Sequence, residues 1–464
     1  MISRLMKSGL SAAALRFPTV GRAWAVAHGW RHSVRRAIRP GVYREADAVA
    51  RLLRSRDAGV DPEGVRQAKA AALATVLSES LRKVPYYRAA VALRPDDITP
   101  ENAAQALAAF PFLEKDRVAE DPRAFLHEDY PRERLLGSTS TGSTGRGIWT
   151  YRTEAEYEIE MAFFRHHWGP LGFQPGSRIV RISRDGRRGA QEYPIQVLNN
   201  RLLVSPYHLE AKWLPVIYDA MVKYRPDSVH AYPNCLETLA RFIEETGRPP
   251  IACKGVLAAS EACSFSQCER IARGFTGVIS VNYGLSERTN LAFAAYRPGD
   301  GELKYEIEDL YGVTESRCDS EGRPEIVGTS YWNRAMPLIR YRTGDFGQAV
   351  GNRLWVNLGR RQNAFITKQG ARLMPFMIRM ETFFWDYISL AQVVQRRPGA
   401  ACLRVVPKPS FTPAAGERIL KELQYRIGHL FELSLELADD IPPGPGGKRE
   451  FAVVETEAEG PGPS

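Results

Sequence analysis

The chain has 464 residues, with 63 Lys and Arg against 53 Asp and Glu, 44% hydrophobic and 25% charged. That balance excludes a wholly disordered chain, a collagen-like repeat and a polytopic membrane protein, and the length points to more than one domain. The net charge of +10 is concentrated in residues 1–40, which hold eight Lys/Arg and no acid and leave 55 basic against 53 acidic residues elsewhere. No basic working face is indicated, and nucleic acid is not an expected partner.

Residues 1–44 form the first segment. Ile2, Leu5, Met6, Leu10, Ala13 and Phe17 fall at helical spacing, with Arg4, Lys7, Ser8 and Ser11 on the other side. Arg16, Pro18 and Arg22 interrupt the apolar run before it reaches the length of a membrane span, and it is poor as a signal peptide. Docking onto the protein's own body is the favoured reading. Peripheral contact with a membrane surface and an organelle transit peptide are the alternatives.

Residues 45–130 read as mostly helical, with a start at Thr99-Pro100, where Thr caps and Pro takes the first helical position. Thr153 followed by Glu156 is a capping box, predicting a helix through Trp168 that ends at Gly169-Pro170. Short β-rich runs then alternate with helical patterns: 228–232 before 234–245, 255–259 before 265–275, and 278–283 before a loop. Such alternation predicts parallel strands with crossover helices, whose ligands lie outside the carboxyl ends of the strands. Three polar strand ends, Tyr232-Pro233-Asn234, Ser260-Glu261 and Asn282-Tyr283-Gly284, are therefore expected at one crevice. A short strand near 353–358 leads into a compact unit, 359–455, in the order strand, helix, strand, strand, helix, strand. Residues 456–464 are a polar Gly/Pro-rich tail. The fold class is α/β, a large domain of mixed or parallel sheets with helices over 45–358, followed by a small α+β domain.

Cys235, Cys253, Cys263, Cys268, Cys318 and Cys402 are too sparse for a disulfide framework and indicate a reduced, cytoplasmic setting. Cys263 and Cys268 lack zinc-site spacing and read as buried thiols. His166, His167, His208 and His230 read as structural rather than as ligands.

The chemistry-bearing runs begin with Ser138-Thr139-Ser140-Thr141-Gly142-Ser143-Thr144-Gly145-Arg146-Gly147. Glycine lets backbone N–H groups approach an anion and the hydroxyls add donors, which suits a nucleoside triphosphate, although no Walker lysine follows. Asn282-Tyr283-Gly284-Leu285-Ser286-Glu287 puts a ring that can stack on a base beside a carboxylate that can hold Mg²⁺. Arg340-Tyr341-Arg342-Thr343-Gly344-Asp345 offers an aspartate for ribose hydroxyls, and Pro442-Pro443-Gly444-Pro445-Gly446-Gly447-Lys448 a lysine on a Gly/Pro loop. A lone flexible lysine suits an anionic centre that forms transiently.

In this order the runs resemble the adenylate-forming superfamily of acyl-CoA synthetases, luciferases and peptide-synthetase adenylation domains. Val84-Pro85-Tyr86-Tyr87-Arg88, Ala231-Tyr232-Pro233-Asn234, Pro337-Leu338-Ile339 before Arg340, and Gln392-Val393-Val394-Gln395 look most like the phenylacetate-CoA ligase branch and its capsular-polysaccharide-cluster relatives. The resemblance implies a carboxylic acid joined to ATP as an acyl adenylate, then passed to a thiol, with coenzyme A the default acceptor. It implies that Thr141, Gly142, Ser143, Thr144 and Gly145 hold the β and γ phosphates, that Tyr283 lies against the adenine with Ser260 and Glu261 bordering it, and that Ser140, Asn282, Gly284 and Ser286 also belong to the ATP site. Asp345 would take the ribose hydroxyls, Arg360 the ribose and phosphate, Glu287 the Mg²⁺, and Lys448 the carboxylate and α-phosphate. Tyr232, Asn234 and Phe293 are the candidate acyl pocket.

Two departures stand out. Where the family has acidic residues after the junction Gly-Arg, this chain has Gly359-Arg360-Arg361-Gln362-Asn363, so Gln362 takes the hinge position and the thioester-forming step is the less secure one. Gly147 stands where a proline is common. Transfer to an amine, a hydroxyl or a carrier protein, and a non-catalytic nucleotide-binding scaffold of the same fold, are the competing readings.

Overall fold

The computed structural model describes residues 18–139, 148–183, 193–198, 200–261, 263–318, 322–356, 365–373, 378, 380–441 and 452–455. Proline opens each of the first four helices, α1 (Pro18–Ile38), α2 (Pro40–Asp57), α3 (Pro62–Lys83) and α4 (Pro85–Ala90). Its missing N–H is one that a helix start leaves unsatisfied in any case. The expected start at Thr99-Pro100 is not observed. Asn102 accepts from the Thr99 N–H (2.9 Å) and donates to the Asp97 carbonyl (2.7 Å), which holds a turn there and delays α5 to Ala103–Ala108. Helix α6 (Lys115–Glu120) follows. Strands β1 (Leu136–Thr139) and β2 (Trp149–Arg152) then pair antiparallel as the stem of the hydroxyl- and glycine-rich loop.

The capping box forms as expected and opens α7 (Glu154–Trp168). Glu156 receives the Thr153 N–H on one oxygen (2.6 Å), and on the other the N–H groups of Arg334 (2.7 Å) and Ala335 (2.8 Å). One carboxylate thus starts a helix and fastens a distant loop to it.

The chain next builds β3 (Ile179–Ile182), β4 (Ile195–Leu198), β5 (Arg201–Val204), α8 (Leu214–Tyr224), β6 (Ser228–Ala231), α9 (Pro233–Glu245), β7 (Gly255–Ala258), α10 (Phe265–Gly274) and β8 (Val278–Gly284). It continues as β9 (Leu291–Ala295), β10 (Tyr305–Ile307), β11 (Gly312–Cys318), β12 (Pro324–Ser330), β13 (Tyr341–Val350) and β14 (Arg353–Val356). Among the described residues these strands form one sheet, ordered β11-β12-β13-β14-β10-β9-β8-β7-β6-β3-β5-β4. From β5 to β8 the neighbours are parallel, and from β8 to β11 they are antiparallel. The parallel half is covered on both faces. Val256 and Ala258 of β7 join the core with α8, α9 and α10, whereas Leu257 and Ala259 pack with Leu53 of α2 and Phe163 of α7. Burial on both sides explains why these strands read as continuous apolar runs. Each fully buried Leu, Val or Phe contributes about 1.5–3 kcal/mol.

A third cluster joins Leu77 of α3 to Tyr87, Phe110, Phe125, Ile148, Tyr151, Ile339 and Tyr341. Within it the Tyr87 hydroxyl donates to the Pro337 carbonyl (3.1 Å) and accepts the Ile339 N–H (2.8 Å), which joins two of the motif runs directly.

The C-terminal part departs from the expected order. It opens with a hairpin, β15 (Phe365–Ile366) and β16 (Arg372–Leu373), because Gly370 at φ +77° closes a tight turn with Thr367. A short 3-10 turn over Thr382–Asp386 stands where a helix was expected. Strands β17 (Ile388–Gln395) and β18 (Ala400–Pro407), helix α11 (Pro413–Ile427), β19 (Glu432–Leu437) and β20 (Ala452–Val454) complete a four-stranded sheet ordered β19-β18-β17-β20. The buried Gln395 amide accepts from the Ile366 N–H (2.7 Å) and donates to the Ile366 carbonyl (3.0 Å), holding the hairpin to that sheet. Among the described residues no helix is long and apolar enough to cross a membrane.

Candidate active site

The carboxyl ends of β6, β7 and β8 lie side by side, as the alternation predicts. Ser260, just past β7, sits at φ +68°, a left-handed conformation that costs a non-glycine residue about 1–2 kcal/mol. Glu261 beside it accepts from the backbone N–H of Asn234 (3.1 Å) and from its side-chain amide (2.7 Å), while its Oε1 is buried with no hydrogen-bond partner. Burial pushes this carboxyl up to about 8, against the pull of the two Asn234 bonds. Asn234 is thereby committed to Glu261. Tyr232 caps α9 within the main core. Phe293 stacks on His167 (4.0 Å) and meets Trp168 edge-on, in the aromatic layer under α7.

The antiparallel half brings the second set of residues. Glu325 pairs with Phe346 but Val327 pairs with Arg342, so β13 carries two more residues than β12 between these points. The bulge contains Thr343-Gly344-Asp345, with Gly344 at φ +70°. Glu325 fixes it, accepting from the Gly344 N–H (2.8 Å) and from Arg342 (2.8 Å). Bulges re-aim side chains, and here Asp345 meets the end of β8, where the Tyr283 hydroxyl donates to Asp345 Oδ2 (3.2 Å).

At the same strand end the Tyr341 hydroxyl donates to Glu287 Oε1 (3.1 Å), with both residues buried. Burial first, then the Glu287 charge, raise the Tyr341 phenol well above its ordinary value, so it remains a donor. Arg288, at φ +59°, donates to the Ser138 hydroxyl (2.7 Å) and the Thr150 hydroxyl (3.3 Å), and Thr150 donates to the Ser286 carbonyl (3.2 Å). The stem of the 138–147 loop is thus hydrogen-bonded to the segment that carries Glu287. Sequence reasoning missed Arg288, Tyr341 and Thr150, because nothing local marks a buried arginine or tyrosine as a positioning group.

The structure therefore brings together Ser260, Glu261, Asn234, Asn282, Tyr283, Gly284, Ser286, Glu287 and Asp345. Ser140, Thr141, Gly142, Ser143, Thr144, Gly145, Arg360, Gln362 and Lys448 lie outside the described residues. The histidines have structural partners: His166 pairs with Asp57 (2.7 Å), His167 with Glu308 (2.7 Å), and His208 with Ser205 (2.7 Å). Cys263 and Cys268 are buried together, sulfur to sulfur 3.5 Å apart. Among the described residues no group of three or more His, Cys, Asp or Glu side chains could hold a metal. A Mg²⁺ ion at Glu287 would complete its shell with phosphate oxygens and water, as this ion commonly does; its carboxylate is a suitable hard donor, steadied by Tyr341.

Comparison with known proteins agrees with this architecture. Residues 365–455 match the model of the CapK C-terminal domain. Protein CapK of Staphylococcus aureus is 22% identical over 350 residues, covering 69% of this chain and 75% of that protein. The crystal structure of 2-hydroxyisobutyryl-CoA ligase with 2-HIB-AMP and CoA, in the thioesterification state, superposes with a TM-score of 0.53 at 16% identity, over 85% of this chain and 91% of that one. The same ligase in the postadenylation state with R3-HIB-AMP gives 0.50 at 15%, over 86% and 90%. The chain thus has the fold of the adenylate-forming ligases, with a relative in CapK and a CapK C-terminal domain over residues 365–455.

Proposed function

We propose that this chain is an ATP- and Mg²⁺-dependent, AMP-forming ligase that activates a carboxylic acid as its acyl adenylate and passes the acyl group to coenzyme A. The observation that carries this reading is the meeting of Tyr283 and Asp345, 3.2 Å apart, beside the Tyr341–Glu287 pair and the stem of the 138–147 loop. A ring able to stack on a base, an aspartate able to accept ribose hydroxyls and a carboxylate able to hold Mg²⁺ support a nucleotide there.

In this reading Tyr283 lies against the adenine, Asp345 accepts the ribose hydroxyls, and Thr141 to Gly145 hold the β and γ phosphates. A carboxylate oxygen attacks the α-phosphorus and pyrophosphate leaves with the bonding electrons. No general base is needed, since the nucleophile is already ionised, so the residues position and neutralise charge. Mg²⁺, when bound, neutralises phosphate charge. Lys448 bridges the carboxylate and α-phosphate, and Arg360 supports the phosphate. In the second step a thiolate attacks the acyl carbon and AMP leaves. The 2-hydroxyisobutyryl-CoA ligase structure holds both an acyl-AMP and CoA, which supports coenzyme A as acceptor. Gln362 at the hinge position keeps an amine, hydroxyl or carrier-protein acceptor in competition. Peripheral membrane contact through residues 1–40 belongs to the same proposal, supported by Val26, Trp30 and Ile38 on α1, each about 70% exposed.

The test is carboxylate-dependent exchange of labelled pyrophosphate into ATP, over aryl, arylacetic, fatty, hydroxy and amino acids. Exchange with one acid class is expected, and Lys448→Ala is expected to lower it on the order of 10²-fold or more. Absence of exchange in folded, ATP-binding protein would favour the scaffold reading.

A further inference from the structure

The turn that carries Glu287 is held by a closed circuit of hydrogen bonds. Arg288 ends the turn, its N–H donating to the Leu285 carbonyl (3.1 Å) and its backbone at φ +59°, a conformation that residues other than glycine rarely adopt. Arginine can only donate, so it gives the circuit a direction. Its Nη2 donates to the Ser138 hydroxyl (2.7 Å) and its Nη1 to the Thr150 hydroxyl (3.3 Å). Thr150 gives its single proton to the Ser286 carbonyl (3.2 Å) in preference to the more distant Ser138 carbonyl (3.4 Å). The Ser138 hydroxyl is therefore the donor in its 3.0 Å contact with Thr150. The circuit runs Arg288, Ser138, Thr150, Ser286, and it starts and finishes on one turn with Glu287 enclosed between its ends.

Charge neutralisation does not account for this placement. Arg288 is 8% exposed; Oε1 of its carboxylate neighbour, Glu160 of α7, is 3.9 Å away, and Oε2 of Glu160 is bonded to Arg152. The shorter bonds go to the stem hydroxyls. Nor does the β1–β2 hairpin need a cation to form, since Ser138 and Thr150 face each other in register and already lie within bonding distance. A buried guanidinium is costly to desolvate, and a neutral side chain of similar size often serves stability as well or better. The rest of the turn is anchored too. Glu287 accepts from Tyr341 of β13 (3.1 Å), and Asn290 donates to the Thr314 hydroxyl of β11 (2.9 Å) and the Val327 carbonyl of β12 (3.3 Å).

We propose that Arg288 is a positioning residue for the phosphate end of the nucleotide: by closing the circuit through Ser138 and Thr150 it holds the Glu287 carboxylate where a phosphate-bound Mg²⁺ meets it. The inference rests on the nucleotide reading given above, and it adds a division of labour within it. The adenine and ribose groups, Tyr283 and Asp345, are joined to each other across β8 and β13 (3.2 Å), outside the circuit. Breaking the circuit therefore weakens a ligand that carries β and γ phosphates and leaves a nucleoside monophosphate bound as before.

Calorimetric titration of the full chain with ATP and with AMP, each in Mg²⁺, tests it. Arg288→Met removes the donor while keeping the bulk, and should weaken ATP on the order of tenfold or more while AMP changes by less than about twofold. Arg288→Lys, which keeps a charged donor, should recover part of that loss. Ser138→Ala breaks the circuit from the other side with less disturbance of buried groups; it should weaken ATP severalfold with AMP unchanged, and it serves if Arg288→Met does not fold. Because both residues act through one circuit, the double variant Arg288→Met/Ser138→Ala should lose no more than Arg288→Met alone. ATP and AMP weakened alike in these variants, or ATP unaffected, would overturn the assignment and leave the nucleotide reading in place. Wild-type protein that binds neither nucleotide would overturn both.

Discussion

The parallel and antiparallel halves of the large sheet supply the candidate site in different ways. In the parallel half, Ser260 and Tyr283 reach the crevice because each strand ends there, so position follows from topology alone. In the antiparallel half, Asp345 is in the body of a long strand and arrives only through a bulge held by Gly344 and Glu325. One half is robust to local change, whereas the other depends on a few polar bonds.

That contrast can be tested by substitution, taking the largest expected effect first. Asp345→Ala removes the charged acceptor and should lower ATP-dependent pyrophosphate exchange on the order of 10- to 100-fold through the apparent ATP affinity. An unchanged dependence on ATP would separate the bulge from the nucleotide. Tyr341→Phe deletes a single hydrogen bond to Glu287, worth about 1 kcal/mol, and should raise the Mg²⁺ concentration for half activity severalfold. If that midpoint does not move, Tyr341 does not position the carboxylate.

Glu261 gives a pH signature on the parallel side. The folded protein holds its proton up to about 8, whereas an ordinary glutamate releases it near 4.5. Its stabilising contribution is therefore complete below about pH 4.5 and declines as pH rises toward 8. Glu261→Gln keeps an acceptor for Asn234 and should flatten that decline in Tm between these limits. An identical slope in the variant would assign the pH dependence to another group. The smallest effect is expected at Ser260, where glycine relieves the left-handed backbone but adds chain entropy; Ser260→Gly should leave stability within about 1 kcal/mol of wild type. A larger loss, read from denaturant unfolding, would show that the hydroxyl is structurally needed.

The same contrast governs what the sequence shows. Strands β6, β7 and β8 fall within about two residues of the expected runs, because doubly buried strands are continuous apolar runs with polar ends. Asp345 is recognisable within its motif, yet its bulge is not, since the bulge depends on Glu325 of the neighbouring strand. Arg288 is harder still. Its partner Ser138 lies 150 residues earlier, and no local pattern distinguishes a buried guanidinium from a surface one. Thr99-Pro100 failed for a local reason, the competing turn made by the Asn102 side chain.

The most direct test of where the nucleotide sits is photolabelling of the full chain with 8-azido-ATP and mapping of the labelled peptide. Label in the segment that carries Tyr283, suppressed by ATP and lost in Asp345→Ala, is the result expected if both halves of the sheet form one nucleotide site. Label that maps elsewhere in the chain, or is indifferent to ATP, would contradict it.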